Sequence, residues 1–212
     1  NIIQNIKKNS SILELGVGNG NFLIKLNKLN YKCYCIEPYS EITTKLKKNK
    51  ITVLENKLEN INISDLNFKV DIIFAWHSIE HLRNFEIFLN LCDKVLHKNG
   101  RVILSTPNKD SLSFKFYNKY WYHIEAPLHS YIIDPNELVS KFEERSYIKE
   151  KFIKNYSSIM MSKYGWETSG YYKKKTLGKN YHSYIGKILS YFMPYIEFIL
   201  NKTAQTTIIL KK

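Results

Sequence analysis

The chain has 212 residues, enough for one domain with a sizeable core or for a domain carrying an elaborated appendage. Its 44% hydrophobic and 24% charged residues are ordinary for a soluble globular protein, and three cysteines are too few and too scattered for a disulfide framework or a zinc site. The net charge of +13 is uneven: residues 151–212 hold eleven Lys against Glu167 and Glu197, a net of +9, which leaves +4 for the first 150 residues.

A basic C-terminal quarter can meet phosphate, an anionic membrane surface or an acidic substrate, or it can reflect a Lys- and Asn-rich composition. The chain opens on Asn1 rather than Met, which leaves room for a missing N-terminal piece, and no signal peptide is visible. Cys33 and Cys35 alternate in an apolar stretch and pack on one strand face, so the setting read from cysteine usage is reducing and cytosolic.

Strand and helix patterns alternate along the chain, which predicts an α/β fold with a mostly parallel sheet. Residues 11–15 form a first strand. A glycine turn follows, then a helix to about Leu29 with Phe22, Leu23, Leu26 and Leu29 on one face. Residues 31–36 form a second strand that ends at Glu37-Pro38, and the proline keeps Glu37 extended. Ser40 caps a helix to about Asn49, and residues 51–54 make a short third strand. The continuous apolar run 70–75 reads as a central strand buried on both faces.

A helix from about Phe85 to His97 ends at Asn99-Gly100 as a C-cap, and residues 101–106 form a fifth strand stopped by Pro107. Asp134-Pro135-Asn136-Glu137 announces a helix to about Arg145: Asp at the N-cap, Pro at N1, Glu at N3. A strand near 147–154 and a β-branched last strand at 206–210 complete the pattern. Residues 107–133, crowded with aromatics and histidines, and 155–204, long for a connection, lie outside the rhythm.

The stretch "ILELGVGNG" puts glycine at 16, 18 and 20 behind the first strand. A dinucleotide fingerprint is G-x-G-x-x-G, with pyrophosphate on the helix end; here the third glycine comes one residue early. Glu14 would repel a pyrophosphate but suits a cation. S-adenosylmethionine has a sulfonium, an ammonium and no phosphate. Glu37, at the end of the second strand, is placed to accept both ribose hydroxyls.

"ELGVGNG" resembles motif I of the class I S-adenosylmethionine-dependent methyltransferases. The likeness continues through "VDIIFAWHSIEHL", "VLHKNGRVILSTPN" and "APLHSYIIDPNELVSKFEE", as in the small-molecule branch that includes ubiquinone-biosynthesis O-methyltransferases and sugar and natural-product methyltransferases. It covers about residues 10–154 and the final strand. The resemblance implies a Rossmann-like, seven-stranded, mostly parallel sheet with helices on both faces and an antiparallel last strand. It implies one domain over 1–212, with a lid or substrate cover inserted at about 155–204.

Residue by residue, it implies that Gly16, Gly18 and Gly20 line the methionine end of the cofactor with Glu14 oriented to its cationic end. Glu37 holds the ribose, Pro38 and Tyr39 flank the adenine, Leu58 contacts it, and Ala75 and Trp76 close the methionine side. One departure stands out: relatives often carry an Asp at the end of strand three, where "ENKLEN" has Lys57, with Asn56 or Glu59 as substitutes.

For the chemistry, methyl transfer needs alignment of donor and acceptor, and a hydroxyl acceptor benefits from a general base. His77, directly after strand four, is the first candidate for the substrate face. Glu80 and His81 either act there or form a local clasp; Asp71 anchors the start of strand four. His129 in "PLHSYI" resembles a His that relatives place over the acceptor. Tyr117, Tyr120, Trp121, Tyr122 and His123 could wall a sugar or aromatic ring, or simply pack. His97 and His182 read as surface residues. No metal is expected.

The leading expectation is transfer to a hydroxyl of a sugar, glycan or lipid-linked compound by a cytoplasmic enzyme. Residues 155–204 serve as a lid or touch the inner membrane surface. An RNA methyltransferase and a non-catalytic cofactor-binding module are the alternatives; "AWHS" after strand four lacks the Asn-Pro-Pro-Tyr type signature of amino-directed nucleic-acid enzymes.

Overall fold

The computed structural model describes residues 6–125, 127–130, 132–153 and 156–212. Each apolar run bounded by turn residues becomes a strand: β1 (Ser11–Leu15), β2 (Lys32–Ile36), β3 (Thr52–Leu54), β4 (Val70–Trp76), β5 (Leu96–Pro107), β6 (Ile148–Ile153) and β7 (Gln205–Lys211). They form one sheet in the order β3-β2-β1-β4-β5-β7-β6. Strands β1 to β5 run parallel, and β7 lies antiparallel between β5 and β6. Helices α1 (Asn21–Lys28), α2 (Ser40–Lys48), α3 (Phe85–Val95) and α5 (Pro135–Glu143) flank it, with the short α4 (Leu112–Tyr117) beyond β5.

Side chains alternate across the sheet, so each strand feeds two cores. Leu13, Ile73, Val102, Leu104 and Ile208 meet Phe88, Leu91 and Phe142 of α3 and α5 on one face. Ile12, Cys33, Cys35, Phe74 and Ile103 meet Leu23, Leu26 and Leu46 of α1 and α2 on the other. All three cysteines are free and buried. The chain builds outward from β1 to β3 and then crosses back to β4 on the other side of β1. That reversal opens a crevice at the carboxyl ends of β1 and β4, where open α/β sheets bind ligands.

Between β6 and β7 the chain makes an antiparallel hairpin of two long helices, α6 (Tyr156–Leu177) and α7 (Tyr181–Ile199). They cross closely because Gly170 faces Gly186; a Cβ on Gly186 would sit 2.9 Å from Gly170 Cα. The hairpin is fastened to the domain by a third core in which Trp166 packs with Tyr117, Trp121 and Ala204. Below it Glu197 is fully buried and accepts a hydrogen bond from Ser113 N–H at 2.7 Å.

Several local expectations need correction. Helix α3 stops at Val95 rather than near His97, because residues 96–100 already belong to β5. Asn99 and Gly100 shape an irregularity in that strand instead of a C-cap. Asn99 adopts φ 71° and donates to Lys212 O, and a Cβ on Gly100 would lie 2.9 Å from Asp71 O. Ser40 is the first helical residue of α2, with Tyr39 at the cap and no side-chain capping bond. Leu29 is 53% exposed, beyond the end of the α1 apolar face. His182 is buried, while His97 is exposed as expected. The last strand-six residue expected, 154, and the start of the expected insertion, 155, lie outside the described residues.

Candidate functional site

The glycine turn occupies the crevice at the switch point. Gly16, Gly18 and Gly20 all take positive φ, 66°, 53° and 73°. Gly16 N–H donates to Ile36 O at 3.0 Å, which ties the end of β1 to β2, and a Cβ there would meet Ser78 Cβ at 3.0 Å. A Cβ on Gly18 would meet nothing within 4 Å, so that glycine leaves backbone open to the crevice. Gly20 leads into α1.

Two buried carboxylates face this turn. Glu37 is 3% exposed, and its oxygens accept one backbone bond each, from Val17 N–H and Tyr39 N–H, both at 3.1 Å. Each oxygen therefore keeps acceptor capacity for a ligand, and the carboxylate plane is locked. Glu14, on β1 between Cys35 and Phe74 of the neighbouring strands, is 2% exposed, and its Oε2 has no hydrogen-bond partner. Burial, and after it the negative charge of Glu37, pushes its pKa up to about 8. An orphaned acid beside a second acid is unfavourable unless a cation or a proton compensates it.

The other residues expected around a nucleoside distribute themselves along the same edge. Leu58 is buried and opens a short 3-10 turn, Leu58–Asn60, while Pro38 and Tyr39 are exposed. Ala75 is buried, and half-buried Trp76 stacks on Phe74 with ring centroids 5.6 Å apart. Lys57 is exposed. Asn56 Oδ1 accepts from Lys57 N–H and Asn60 Nδ2 within its own turn, and Glu59 Oε1 accepts from Arg83 N–H, which leaves its other oxygen open.

Beyond β4 the histidines converge. His77 stands at φ 46°, with Nε2 2.9 Å from Gln205 Oε1 and Nδ1 3.3 Å from Glu80 Oε1. Burial alone would lower its pKa, but Glu80 and Gln205 outweigh burial and raise it. Glu80 Oε1 has no hydrogen-bond partner, so it acts on the ring by its negative charge, which favours the protonated form. Glu80 is 1% exposed; its Oε2 accepts from the Thr106 hydroxyl at 3.3 Å, and its backbone carbonyl accepts from Ser130 N–H at 2.8 Å. It clasps the 3-10 turn Ile79–His81 to β5 and to the following loop.

His129 Nδ1 lies 2.7 Å from His123 O, which makes Nδ1 the protonated nitrogen and leaves the lone pair on Nε2. His123 is 3% exposed with no partner at Nε2; burial, then the nearby His77, lowers its pKa to about 4, so it is neutral. Trp121 is 2% exposed and donates from Nε1 to Ser113 Oγ, so packing accounts for it. Tyr122 is half-buried, its ring 5.1 Å from Tyr164 and 6.0 Å from Tyr172 of α6.

Sequence reasoning missed Ser78, whose buried hydroxyl is unpartnered beside Gly16, and the α6 tyrosines. It also missed Gln205, which reaches His77 from β7. No local pattern marks a contact between residues 128 positions apart. A cavity of about 720 Å³ opens at the opposite end of the sheet, near Ser10, Asp71, Arg101 and Ile153. None of the residues gathered around the glycine turn lines it.

A family profile described as "Methyltransferase domain" matches residues 2–150. The mitochondrial ubiquinone biosynthesis O-methyltransferase of Rattus norvegicus is 28% identical over 113 residues, covering 49% of this chain and 32% of that protein. The match thus spans about a third of the curated relative's length. Among solved structures, an S-adenosylmethionine-dependent methyltransferase from Archaeoglobus fulgidus superposes with a TM-score of 0.63 at 17% identity, covering 100% of this chain and 90% of that one. A coclaurine N-methyltransferase bound to N-methylheliamine and S-adenosylhomocysteine superposes with a TM-score of 0.59 at 14% identity, covering 98% and 68%. At such identities the likeness is one of fold.

Proposed function

Because the chain belongs to the methyltransferase-domain family, with S-adenosylmethionine as its cofactor, we propose that it methylates a hydroxyl of a small molecule, a sugar, glycan or lipid-linked compound. The observation that carries this reading is the pair of carboxylates at the glycine turn: Glu37, held by two backbone donors, and Glu14, buried and unpartnered. A diol-binding acid beside a buried second acid without a partner fits a ligand that joins a diol to a cation. When bound, S-adenosylmethionine supplies a methyl group on a positively charged sulfur.

In this reading Glu37 accepts both ribose hydroxyls, Glu14 faces the cationic end, and Gly18 lets the ligand lie against backbone. His129 takes the acceptor's proton at Nε2, since Nδ1 is committed to His123 O. His77 stands beside the buried Glu80 carboxylate, which favours its charged form over a role as base. The α6–α7 hairpin covers the acceptor side through Tyr164 and Tyr172 against Tyr122.

A specific observation favours a lipid-linked acceptor at an anionic membrane surface. Helix α7 is arranged inside out: His182, Gly186, Ser190, Pro194 and Glu197 are buried, whereas Tyr184, Ile188, Tyr191, Tyr195 and Ile199 are 58–73% exposed. Lys163 Nζ lies 5.6 Å from the centre of the Tyr191 ring, and exposed Lys187 falls between Tyr184 and Tyr191 on the same helical face. No helix among the described residues is long and apolar enough to cross a membrane, so the contact is with the surface.

Calorimetry with S-adenosylmethionine and its demethylated product tests the cofactor site, and absence of binding sinks the reading. Turnover with labelled cofactor and a cell-envelope extract tests the acceptor. Label in no lipid or glycan fraction, with cofactor bound, favours a non-catalytic module. Sedimentation with phosphatidylglycerol vesicles, but not phosphatidylcholine vesicles, is expected for the native chain and lost in Tyr191→Glu; equal recovery with both lipids removes the membrane contact.

A further inference from the structure

The loop between α4 and α5 turns two proton acceptors towards each other. His129 Nδ1 lies 2.7 Å from His123 O, so its lone pair is on Nε2, and Glu125 Oε2 stands 3.7 Å from that nitrogen. The distance is too long for a hydrogen bond, and a lone pair facing a carboxylate has no proton to share. The chain builds this facing at a cost. Glu125 O accepts from Leu128 N–H at 2.8 Å and from His129 N–H at 3.4 Å, and the turn holds Glu125 at φ 39°, in the left-handed region that side-chain-bearing residues avoid. The charge of Glu125 also reaches His77, beside which the buried Glu80 Oε1 is left without a partner.

Two tyrosines stand beside the acid. Tyr122 is fixed by its N–H, which donates to Ser169 Oγ at 2.8 Å, and its ring meets that of Tyr164 at 79° to form an aromatic corner. Burial, and after it the Glu125 carboxylate, raises the Tyr122 pKa, so the phenol stays neutral next to that charge. Tyr164 is exposed, which leaves a ring face of the corner open. The chain has 32 Lys and Arg against 19 Asp and Glu, yet among the described residues none of those cations pairs with Glu14, Glu37, Glu80 or Glu125. An acidic, aromatic recess kept clear of Lys and Arg in a basic protein suits a cation supplied by the ligand.

We propose that Glu125, Tyr122 and Tyr164 seat an ammonium group of the acceptor, and that the methylated hydroxyl is on the adjacent carbon: a vicinal amino alcohol, as in an amino sugar. The inference rests on the methyl-transfer reading. Two acceptors only 3.7 Å apart are bridged by two donors on neighbouring carbons, the ammonium to Glu125 and the hydroxyl to His129 Nε2. As the hydroxyl oxygen bonds to the methyl carbon, the carbon–sulfur bond breaks with its electron pair left on sulfur, and the hydroxyl proton passes to His129 Nε2. The ammonium keeps its protons and has no lone pair, so the nitrogen is not methylated. Glu125 thereby selects oxygen over nitrogen in the same substrate.

The test titrates the full chain, with excess S-adenosylhomocysteine, against three sugars at about pH 6.5, where an amine of this kind is charged. Glucosamine carries its ammonium beside a hydroxyl, glucose carries none, and 6-amino-6-deoxyglucose has no hydroxyl on the carbon next to its ammonium. Glucosamine should bind about 10-fold more tightly than either of the others. Glu125→Gln, which keeps the shape and removes the charge, and the surface change Tyr164→Leu should each cut the preference over glucose to about 2-fold or less. Exposed His97→Ala should leave it unchanged. No binding of glucosamine, equal binding of glucosamine and glucose, or a preference that survives Glu125→Gln overturns the proposal; 6-amino-6-deoxyglucose binding as well as glucosamine overturns the adjacency. S-adenosylmethionine titrated into the same chains separates the two ideas. Cofactor bound without the charge preference removes only the ammonium subsite; the preference without cofactor binding supports the subsite and removes its part in methyl transfer.

Discussion

Replacing Glu14 by Gln removes a titration while keeping shape and volume. In the folded chain the carboxyl is buried against β2 and β4 and holds its proton up to about pH 8, against an ordinary value of 4.5. Between those values the folded chain keeps a proton that the unfolded chain has released. The contribution of Glu14 to stability is therefore complete below pH 4.5 and lost as pH rises through 8. The slope is about 1.4 kcal/mol per pH unit inside that window, and at most about 5 kcal/mol across it.

Urea unfolding of native and Glu14→Gln chains at pH 5, 6, 7 and 8 isolates this term, because the other groups cancel in the difference. The variant should gain on the native chain by about 1 kcal/mol per pH unit. A cation bound beside Glu14 reverses the preference and draws the proton off. Binding of S-adenosylmethionine at pH 7 should thus release close to one proton, read by calorimetry in buffers of different ionisation enthalpy, and Glu14→Gln should release none. Parallel unfolding profiles, or proton release unchanged in the variant, would refute the reasoning.

Glu37→Ala should weaken S-adenosylmethionine by about 100- to 10,000-fold, since two hydrogen bonds to a charged acceptor at roughly 1.5–3 kcal/mol each are lost; unchanged affinity in calorimetry removes the ribose assignment. His129→Ala should lower turnover by about 100-fold or more with cofactor affinity nearly intact, and normal turnover would return it to packing. Gly16→Ala must hold a Cβ at φ 66° and 3.0 Å from Ser78 Cβ, so a loss of about 1–2 kcal/mol in urea unfolding is expected together with weaker cofactor binding. Asp134→Ala removes the cap that accepts Asn136 N–H at 2.8 Å and should cost about 1 kcal/mol without touching cofactor affinity.

Much of this protein is legible locally. The apolar runs at 11–15 and 70–76 have to be buried strands, because such residues lose most by staying in water. Asp134-Pro135 starts α5 where its capping chemistry says a helix begins. The glycines and Glu37 mark the crevice because a turn with positive φ and a proline-fixed acid are written in adjacent residues. What adjacent residues cannot carry is partnership across the chain. His77 reads as a free base until Gln205, on β7, meets one nitrogen and the Glu80 carboxylate comes within 3.3 Å of the other. Asn99-Gly100 reads as a helix cap until β5 draws residues 96–100 into the sheet.

Helix α7 shows the division most plainly. Periodicity shows two faces on it, one apolar and one of small and polar residues, and the ordinary inference buries the apolar one. The close crossing with α6 at Gly170 and Gly186 admits only the small face, so the tyrosines and isoleucines are turned outward. Hydrophobic pattern and turn chemistry, which act over a few residues, determined the strands, helices and glycine turn. Which face is covered, which nitrogen keeps its proton and which acid is left without a partner depend on packing between distant segments, and those only the tertiary structure decided.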